Sequence, residues 1–439
     1  MVNKLLGLLN KTHSQYHYVT NAKQLLLEAG FEELNEANKW KITANSKFFV
    51  TRSDSSLIAF KIPKSLQNPY FHIIASHSDS PTFKLKSAPD TGDGHYSKLS
   101  VEGYGGMINS AFLDRPLSIA GRVVVESEGK LETRLVDIDK DLLVIPNVAI
   151  HQNRDVNDGF KYNHAVDMLP LAAVNKGSNY FEDLLKKYVL KDGERVLGHD
   201  LYLYNRQKAG FLGENDELIG SPKLDNLECA YLTLLGLIDS EDNNAIDVYA
   251  CFDNEEIGSE STNGADSTFL IDVLTRIGFA LGLNDEEDLQ IAAAKSFVLS
   301  ADNAHAIHPN HPELYDSNVK SYMNGGVVIK YNSNMSYCTT GVSAAYVKQL
   351  CESVGVPYQE FANKSGSRGG GTLGKISLSH FSANTADIGL AQLAMHSSYE
   401  VAGAKDVECL YKLAKVFFEK WWKILSKENV LIIQAKVKA

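Results

Sequence analysis

The sequence predicts an α/β protein: a mixed sheet flanked by helices, with a β-rich domain inserted into it. Three observations carry that expectation. Apolar runs of strand length recur and end abruptly in polar, metal-competent residues; stretches with helical apolar spacing lie between them; and from Pro81 to about Pro222 the pattern changes to an alternation of apolar and polar residues. With 439 residues, 44% hydrophobic and 22% charged, the composition is globular and the chain is long enough for a large core and two domains. The α/β domain is expected at 1–80 and 220–439, and the inserted β-rich domain, for dimerisation or assembly, at 81–219.

Taken in order, the chain opens with Leu5, Leu6, Leu8 and Leu9, a cluster that Lys11 and His13 interrupt before a signal-peptide core could form. It predicts the first turns of an amphipathic helix. Tyr70 to Ala75 (YFHIIA) reads as a buried strand that leaves at His77-Ser78-Asp79. A histidine two residues before an aspartate can ligate a metal through one ring nitrogen while the acid fixes its tautomer. In the middle stretch, Leu99 to Gly103, Leu117 to Glu126, Leu131 to Asp137 and Asp200 to Asn205 alternate as half-exposed antiparallel strands do, and Phe181 to Leu190 can form a helix.

The α/β texture resumes at Gly220. Leu227, Ala230, Tyr231, Leu234, Leu235 and Ile238 fall at helical spacing, so a core-facing helix starts just after Asp225 and Asn226. Asp225 either belongs to the capping region of that helix or is a carboxylate that bridges two cations. The stretch that organises the chain follows, DVYACFDNEEIGSE from Asp247 to Glu260. Val248 to Phe252 is a buried strand, and Glu255 and Glu256 stand where it emerges, at the carboxyl edge where open α/β sheets bind ligands. Adjacent residues in a loop can divide their duties, one carboxylate holding a metal and the other moving a proton.

Phe269 to Leu283 then predicts a helix, and Ala292 to Leu299 a further strand ending in SADNAHAIHP, with Asp302 at its exit. His305, His308 and His311 do not form one helical face as a separate zinc site, because Pro309 and Pro312 interrupt them. Gly326 to Tyr331 is a strand carrying Lys330, and Ser343 to Val354 a helix. The loop Ser365 to Ile376 contains GGGTLGK, but Ile376 stands where a phosphate-binding loop needs Ser or Thr, so a close-approach backbone loop is expected. His396 follows an apolar stretch, and Leu410, Leu413, Ala414, Phe417, Phe418 and Trp421 mark a terminal amphipathic helix.

The bulk properties exclude several classes of function. A formal net charge of −11 argues against a nucleic-acid or anionic-membrane partner, and no stretch approaches the roughly 20 apolar residues of a membrane span. Five well-separated cysteines form no CxxC, which argues against a disulfide framework or thiolate zinc site and fits a reducing cytoplasm.

The candidate ligands His77, Asp225, Glu256, Asp302 and His396 offer only nitrogen and oxygen. That mixture suits zinc, with cobalt or manganese as substitutes, and two metals sharing one carboxylate would stand roughly 3.5 to 4 Å apart. Such a site leaves room for a bound water whose pKa falls to about 7. Glu255, adjacent to a ligand but free itself, is then the natural general base.

Six ordered motifs, HSD (His77 to Asp79), LDRPLSIAGRV (Leu113 to Val123), KLDN (Lys223 to Asn226), DNEEIGSES (Asp253 to Ser261), SADNAHAIHPN (Ser300 to Asn310) and LAMHS (Leu393 to Ser397), span nearly the whole chain. Together they closely resemble the aspartyl aminopeptidase family of dinuclear zinc exopeptidases. The resemblance implies that Asp225 bridges two zinc ions, that His77 and Asp302 complete one site, and that Glu256 and His396 complete the other. It implies Glu255 as the base, Asp79 as the residue orienting His77, and substrate contacts at His305, Lys330 and Tyr337. It further implies a tetrahedral dodecamer in which His151 reaches a neighbouring subunit's site. The expected activity is release of N-terminal residues from short peptides with a free N-terminus, with Asp or Glu as the preferred first residue. Two rivals are a dinuclear amidohydrolase acting on small N-acyl amides and a catalytically silent, zinc-stabilised assembly protein.

Overall fold

Nine strands make the main sheet of the computed structural model, which describes every residue except 66–68, 177–178, 242–244, 284, 368 and 421–439. Across the sheet they run Glu32–Leu34, Lys47–Arg52, Ser56–Lys61, Ile246–Phe252, Phe71–His77, Phe297–Ala301, Asn384–Gly389, Val327–Tyr331 and Tyr358–Ala362. The four from Ile246–Phe252 to Asn384–Gly389 are mutually parallel, and antiparallel partners flank them on both sides. Both faces are covered. Alternate residues Phe49, Ile74, Tyr249 and Leu299 enter a core with the helices Val2–Leu9, Gln15–Glu28, Leu224–Asp239 and Asp406–Glu419. Phe48, Ile73, Val248 and Val298 enter the opposite core, which the helix Phe269–Ala280 covers. A strand covered on both faces reads as a near-continuous apolar run, and Ile246–Phe252 is buried at every residue, Asp247 included.

Register fixes the functional edge. Phe252 pairs with His77, and Ala301 with Ile388, so the DNEE loop, the histidine and Asp302 all emerge at one carboxyl end of the parallel strands.

A second sheet of six antiparallel strands lies between residues 82 and 205, in the order Lys130–Asp137, Leu117–Ser127, Arg195–Asn205, Thr82–Gly92, Tyr96–Tyr104, Leu171–Val174. It has its own core of Phe83, Leu99, Val123, Val125 and Leu201, closed by Phe181, Leu184 and Leu185 of the helix Tyr180–Tyr188. A third sheet joins Gly210–Leu212, Leu218–Ser221, Glu400–Gly403, Ala391–Leu393 and Ala304–His305. Its first two strands pair as a hairpin that straddles position 219, where the sequence suggests a domain boundary.

Three elements differ from the sequence reading. Ala292 to Lys295 close a helix, Glu286–Lys295, and the strand begins only at Phe297, because an alanine run is apolar yet a strong helix former. The helix at Phe269 ends at Ala280, and the glycine-rich loop gives way to a helix at Leu373–His380. In that helix a Cβ on Gly374 would lie 2.8 Å from both Asp387 Oδ1 and Ser300 Cβ, a close approach only glycine permits. Trp421 lies outside the described residues, while Leu410, Leu413, Phe417 and Phe418 are buried on the helix Asp406–Glu419.

Candidate metal centre

Asp225 sits at the start of the helix Leu224–Asp239 with non-helical backbone angles, just after Lys223 at φ 61°. Its carboxylate leaves the helix axis and reaches the sheet edge. There it faces a histidine on each side: Oδ1 is 3.6 Å from His77 Nε2 and Oδ2 is 3.6 Å from His396 Nε2. Asp302 Oδ1 is 3.6 Å from His77 Nε2, and Glu256 Oε2 is 3.4 Å from His396 Nε2. All five candidate ligands therefore converge as two triads that share Asp225.

These separations decide what the cluster is built for. A direct N–H···O bond would close to about 2.9 Å. Two ligands held tetrahedrally on one zinc at about 2.0 to 2.2 Å stand about 3.3 to 3.6 Å apart. The four contacts match the second spacing. Asp225 Oδ1 and Glu256 Oε1 are also buried without a hydrogen-bond partner, a costly condition for carboxylate oxygens that a cation would relieve. The donor set and the geometry thus fit zinc.

The imidazoles are oriented from behind. His77 Nδ1 is 3.2 Å from the Asp79 carbonyl and 3.4 Å from its Oδ1, and His396 Nδ1 donates to the Gly106 carbonyl at 2.8 Å, so in both rings Nε2 is left to face the carboxylates. Asp79 does more than orient His77. It accepts from the Glu255 and Glu256 amides, each at 3.2 Å, and from the Tyr104 hydroxyl at 2.8 Å, tying the histidine strand to the DNEE loop. Asn254 and His396 both hold φ above 60°, in the left-handed region, and such outliers cluster at functional sites.

Packing so many carboxylates together has an electrostatic cost. Burial pushes the Glu255 carboxyl up to about 8, with Asp302, Asp79 and Asp225 raising it against the pull of His77. Burial and Asp225 likewise push Glu256 well above its ordinary range. His77 is held well above the usual histidine value, its burial outweighed by Asp225, Asp302 and Asp79. The repulsion among these acids is what a pair of divalent cations would cancel. Glu255 differs from the other acids of the cluster: among the described residues its carboxylate makes no hydrogen bond or ion pair.

The residues expected to contact substrate are placed less uniformly. His305 packs against Phe361 with ring centroids 5.9 Å apart, and Tyr337 lies on the same ring at 6.1 Å. Lys330 is 1% exposed, and its ammonium donates to the Asp302 and Asn303 carbonyls at 2.7 and 3.3 Å while lying 5.2 Å from the Tyr337 ring. His151 stands exposed on a loop, and no hydrogen bond or ion pair among the described residues joins it to the cluster. His308 and His311 are apart from the cluster, His311 pairing with Glu313 at 3.1 Å.

Two positioning residues escaped the sequence reading. Glu400, buried, accepts from the Asp225 amide at 3.0 Å through Oε2 and from the His396 amide at 2.8 Å through Oε1. Tyr104, the last residue of its strand, brings the second sheet to Asp79. Glu400 follows His396 by four residues, a spacing visible in the sequence, whereas nothing near Tyr104 signals its role. Gly105 lets this loop close on the centre, since a Cβ there, at φ +74°, would lie 3.1 Å from Glu256 Cβ.

Comparison with known proteins identifies the family. Residues 8–418 match the family described as aminopeptidase I zinc metalloprotease (M18). A probable M18 family aminopeptidase 2 of Clostridium acetobutylicum is 43% identical over 423 residues, covering 94% of this chain and 98% of that protein. Among solved structures, the complex of Ape4 and Nbr1 superposes with a TM-score of 0.91 at 34% identity, covering 95% of this chain and 85% of that one. The mApe1 dodecamer of S. cerevisiae gives 0.83 at 28%, covering 95% and 96%. Since the family match runs almost from end to end and takes in every residue of the two triads, the chain belongs to the M18 zinc aminopeptidases.

Proposed function

We propose that the two triads hold two zinc ions bridged by Asp225, His77 and Asp302 completing one site and Glu256 and His396 the other. The observation that carries this is the single carboxylate whose two oxygens each face a different histidine at 3.6 Å. Cobalt or manganese could replace zinc on the same nitrogen and oxygen donors. Two such ions would supply Lewis-acid polarisation of the scissile carbonyl and an acidified water. The protein supplies the rest. Glu255, whose carboxylate has no hydrogen-bond partner among the described residues, takes a proton from the attacking water and returns it to the nitrogen of the leaving amine. Asp79 holds His77 and the Glu255 and Glu256 amides in one frame, so base and ligands keep a fixed separation. Tyr337 donates to the developing oxyanion, and His305 lines the approach.

The substrate is a peptide with a free N-terminus. Lys330 is the cation that would favour Asp or Glu as its first residue, although its ammonium is engaged with the Asp302 and Asn303 carbonyls, which makes the acidic preference modest. The strands between 82 and 205 act as an inserted assembly domain, and a dodecamer like that of mApe1 would bring His151 of one subunit to the site of another. Five free cysteines and the absence, among the described residues, of any helix long and apolar enough to cross a membrane are compatible with a cytoplasmic enzyme.

The test is Glu255→Gln. The variant should bind zinc as the wild type does, measured by elemental analysis, and lose about 10²- to 10⁴-fold in turnover; full activity would remove Glu255 as the base. Free-amine and N-acetylated peptides of one sequence separate the aminopeptidase from an amidohydrolase. Equal turnover of the blocked peptides would overturn the aminopeptidase reading, and a panel varying only the first residue reads the acidic preference.

A further inference from the structure

A cleft of about 500 Å³ lies on the far side of the KLDN loop, walled by Lys11 and His13 from the N-terminal segment, by Asp137, Asp139, Arg206 and Lys208 from the second sheet and its exit, and by Lys223. That volume is typical of a small-molecule site. Its charge is opposite to that of the chain. Lys11, Arg206, Lys208 and Lys223, the last held down to about 8 by burial, face two carboxylates, in a protein whose formal net charge is −11.

Those charges are not used up internally. Asp137 is already bonded to His13 Nδ1 and to the Tyr204 hydroxyl, each at 2.8 Å, and the His13 ring stacks on Tyr204 with centroids 4.1 Å apart. Arg206 pairs with Asp139 and Asp141, which are largely exposed. Among the described residues Lys11, Lys208 and Lys223 have no carboxylate within ion-pairing distance, and Lys223 Nζ stands 5.5 Å over the Tyr204 ring. Three unpaired ammonium groups around a floor locked by Tyr204, His13 and Asp137 form a prearranged anion site.

We propose that this cleft binds a compact dianion of phosphate chemistry, either free phosphate or a small phosphate ester. The lining carries four cations against the carboxylates of Asp137 and Asp139, an excess of two that a dianion balances and a monoanion does not, and a long polyanion would have to pass the exposed carboxylate of Asp139. The occupant would join the N-terminal helix, the second sheet and the loop two residues ahead of Asp225, so its binding should stabilise the seam between them. The site is independent of the hydrolytic reading and stands or falls separately from it.

The experiment is thermal unfolding of the zinc-loaded protein titrated with inorganic phosphate, and in parallel arms with a phosphate monoester and with chloride, all at constant ionic strength. A saturable rise of about 3 °C at a hundredfold excess over the dissociation constant is expected for the phosphate arms and none for chloride. The double variant Lys11→Glu/Lys208→Glu changes two exposed side chains outside the metal centre. It should keep its peptidase activity and lose most of the phosphate response, while Lys130→Glu on the second sheet keeps it. A response that survives in the double variant but vanishes after metal stripping would assign phosphate to the metal centre and overturn the proposal, as would equal shifts with chloride.

Discussion

At the scale of single residues, the geometry of the candidate metal centre depends on an acid outside the two triads. Glu400 is buried, its carboxyl pushed up to about 8 by burial and by Asp225, yet both its oxygens accept backbone amides, one from Asp225 and one from His396. It therefore fixes Asp225 relative to the histidine of the second triad. Glu400→Ala leaves two buried amides unpaired and should weaken zinc binding by about 10- to 100-fold, the range for groups that orient metal ligands. Glu400→Gln keeps one acceptor and turns the other position into a donor facing an N–H, so its loss should be smaller but still measurable by chelator competition. Unchanged affinity in both would reduce Glu400 to a packing residue. Four of the candidate ligands stood out in the sequence because His77, Glu256, Asp302 and His396 are hard donors just beyond apolar runs, a local pattern, while Asp225, at the start of a helix, was equally readable as a capping residue. Glu400 and Tyr104 were not legible, because what they do depends on which amides and carboxylates the fold brings to them from distant parts of the chain.

At the scale of elements, the helix Gln15–Glu28 carries a titration that acts on stability rather than activity. His17 lies in its first turn, where Ser14 Oγ approaches the ring Nδ1 at 2.7 Å. Burial, with His13 and Lys223 adding to it against Asp137, pulls its pKa down to about 4. The unfolded chain protonates near pH 6.5, so between the two values it binds the extra proton. This contribution to stability is complete above pH 6.5 and is lost as pH falls toward 4. Going from pH 7.5 to 5 should cost the wild type about 2 kcal/mol that His17→Gln does not lose. Urea unfolding at the two pH values measures it, and parallel losses would show that His17 is protonated in the folded state. Elements with strong periodicity were readable from sequence, among them the helix behind Asp225 and the terminal helix Asp406–Glu419, whereas the helix Gln15–Glu28 was not read. The Ala292 to Leu299 run was misread because alanine counts as apolar without carrying a strand preference.

At the scale of the whole molecule, the second sheet presents apolar surface that the single chain does not cover. On the edge strand Lys130–Asp137, Leu131 and Leu135 are 68% and 41% exposed, and beside His151 the loop exposes Val148 and Ile150 at 49% and 48%. An unpaired edge with a leucine stripe invites pairing with another chain. The alternation of this stretch was legible, but not that one apolar face would point outward, because sequence periodicity says which residues share a face and not what lies against it. If assembly covers these residues and His151 completes a neighbour's substrate pocket, then Leu131→Glu/Ile150→Glu should lower the native mass of the particle and reduce kcat/KM by about 10-fold, the value of one lost hydrogen bond to substrate. The zinc content of the variant should stay that of the wild type, since every residue of the two triads comes from the same chain and is distinct from these positions. His151→Ala tests the same claim without adding charge to the apolar surface: it should lower kcat/KM while the particle mass stays unchanged. Small particles with full activity would detach catalysis from assembly and leave the exposed leucines without a catalytic consequence.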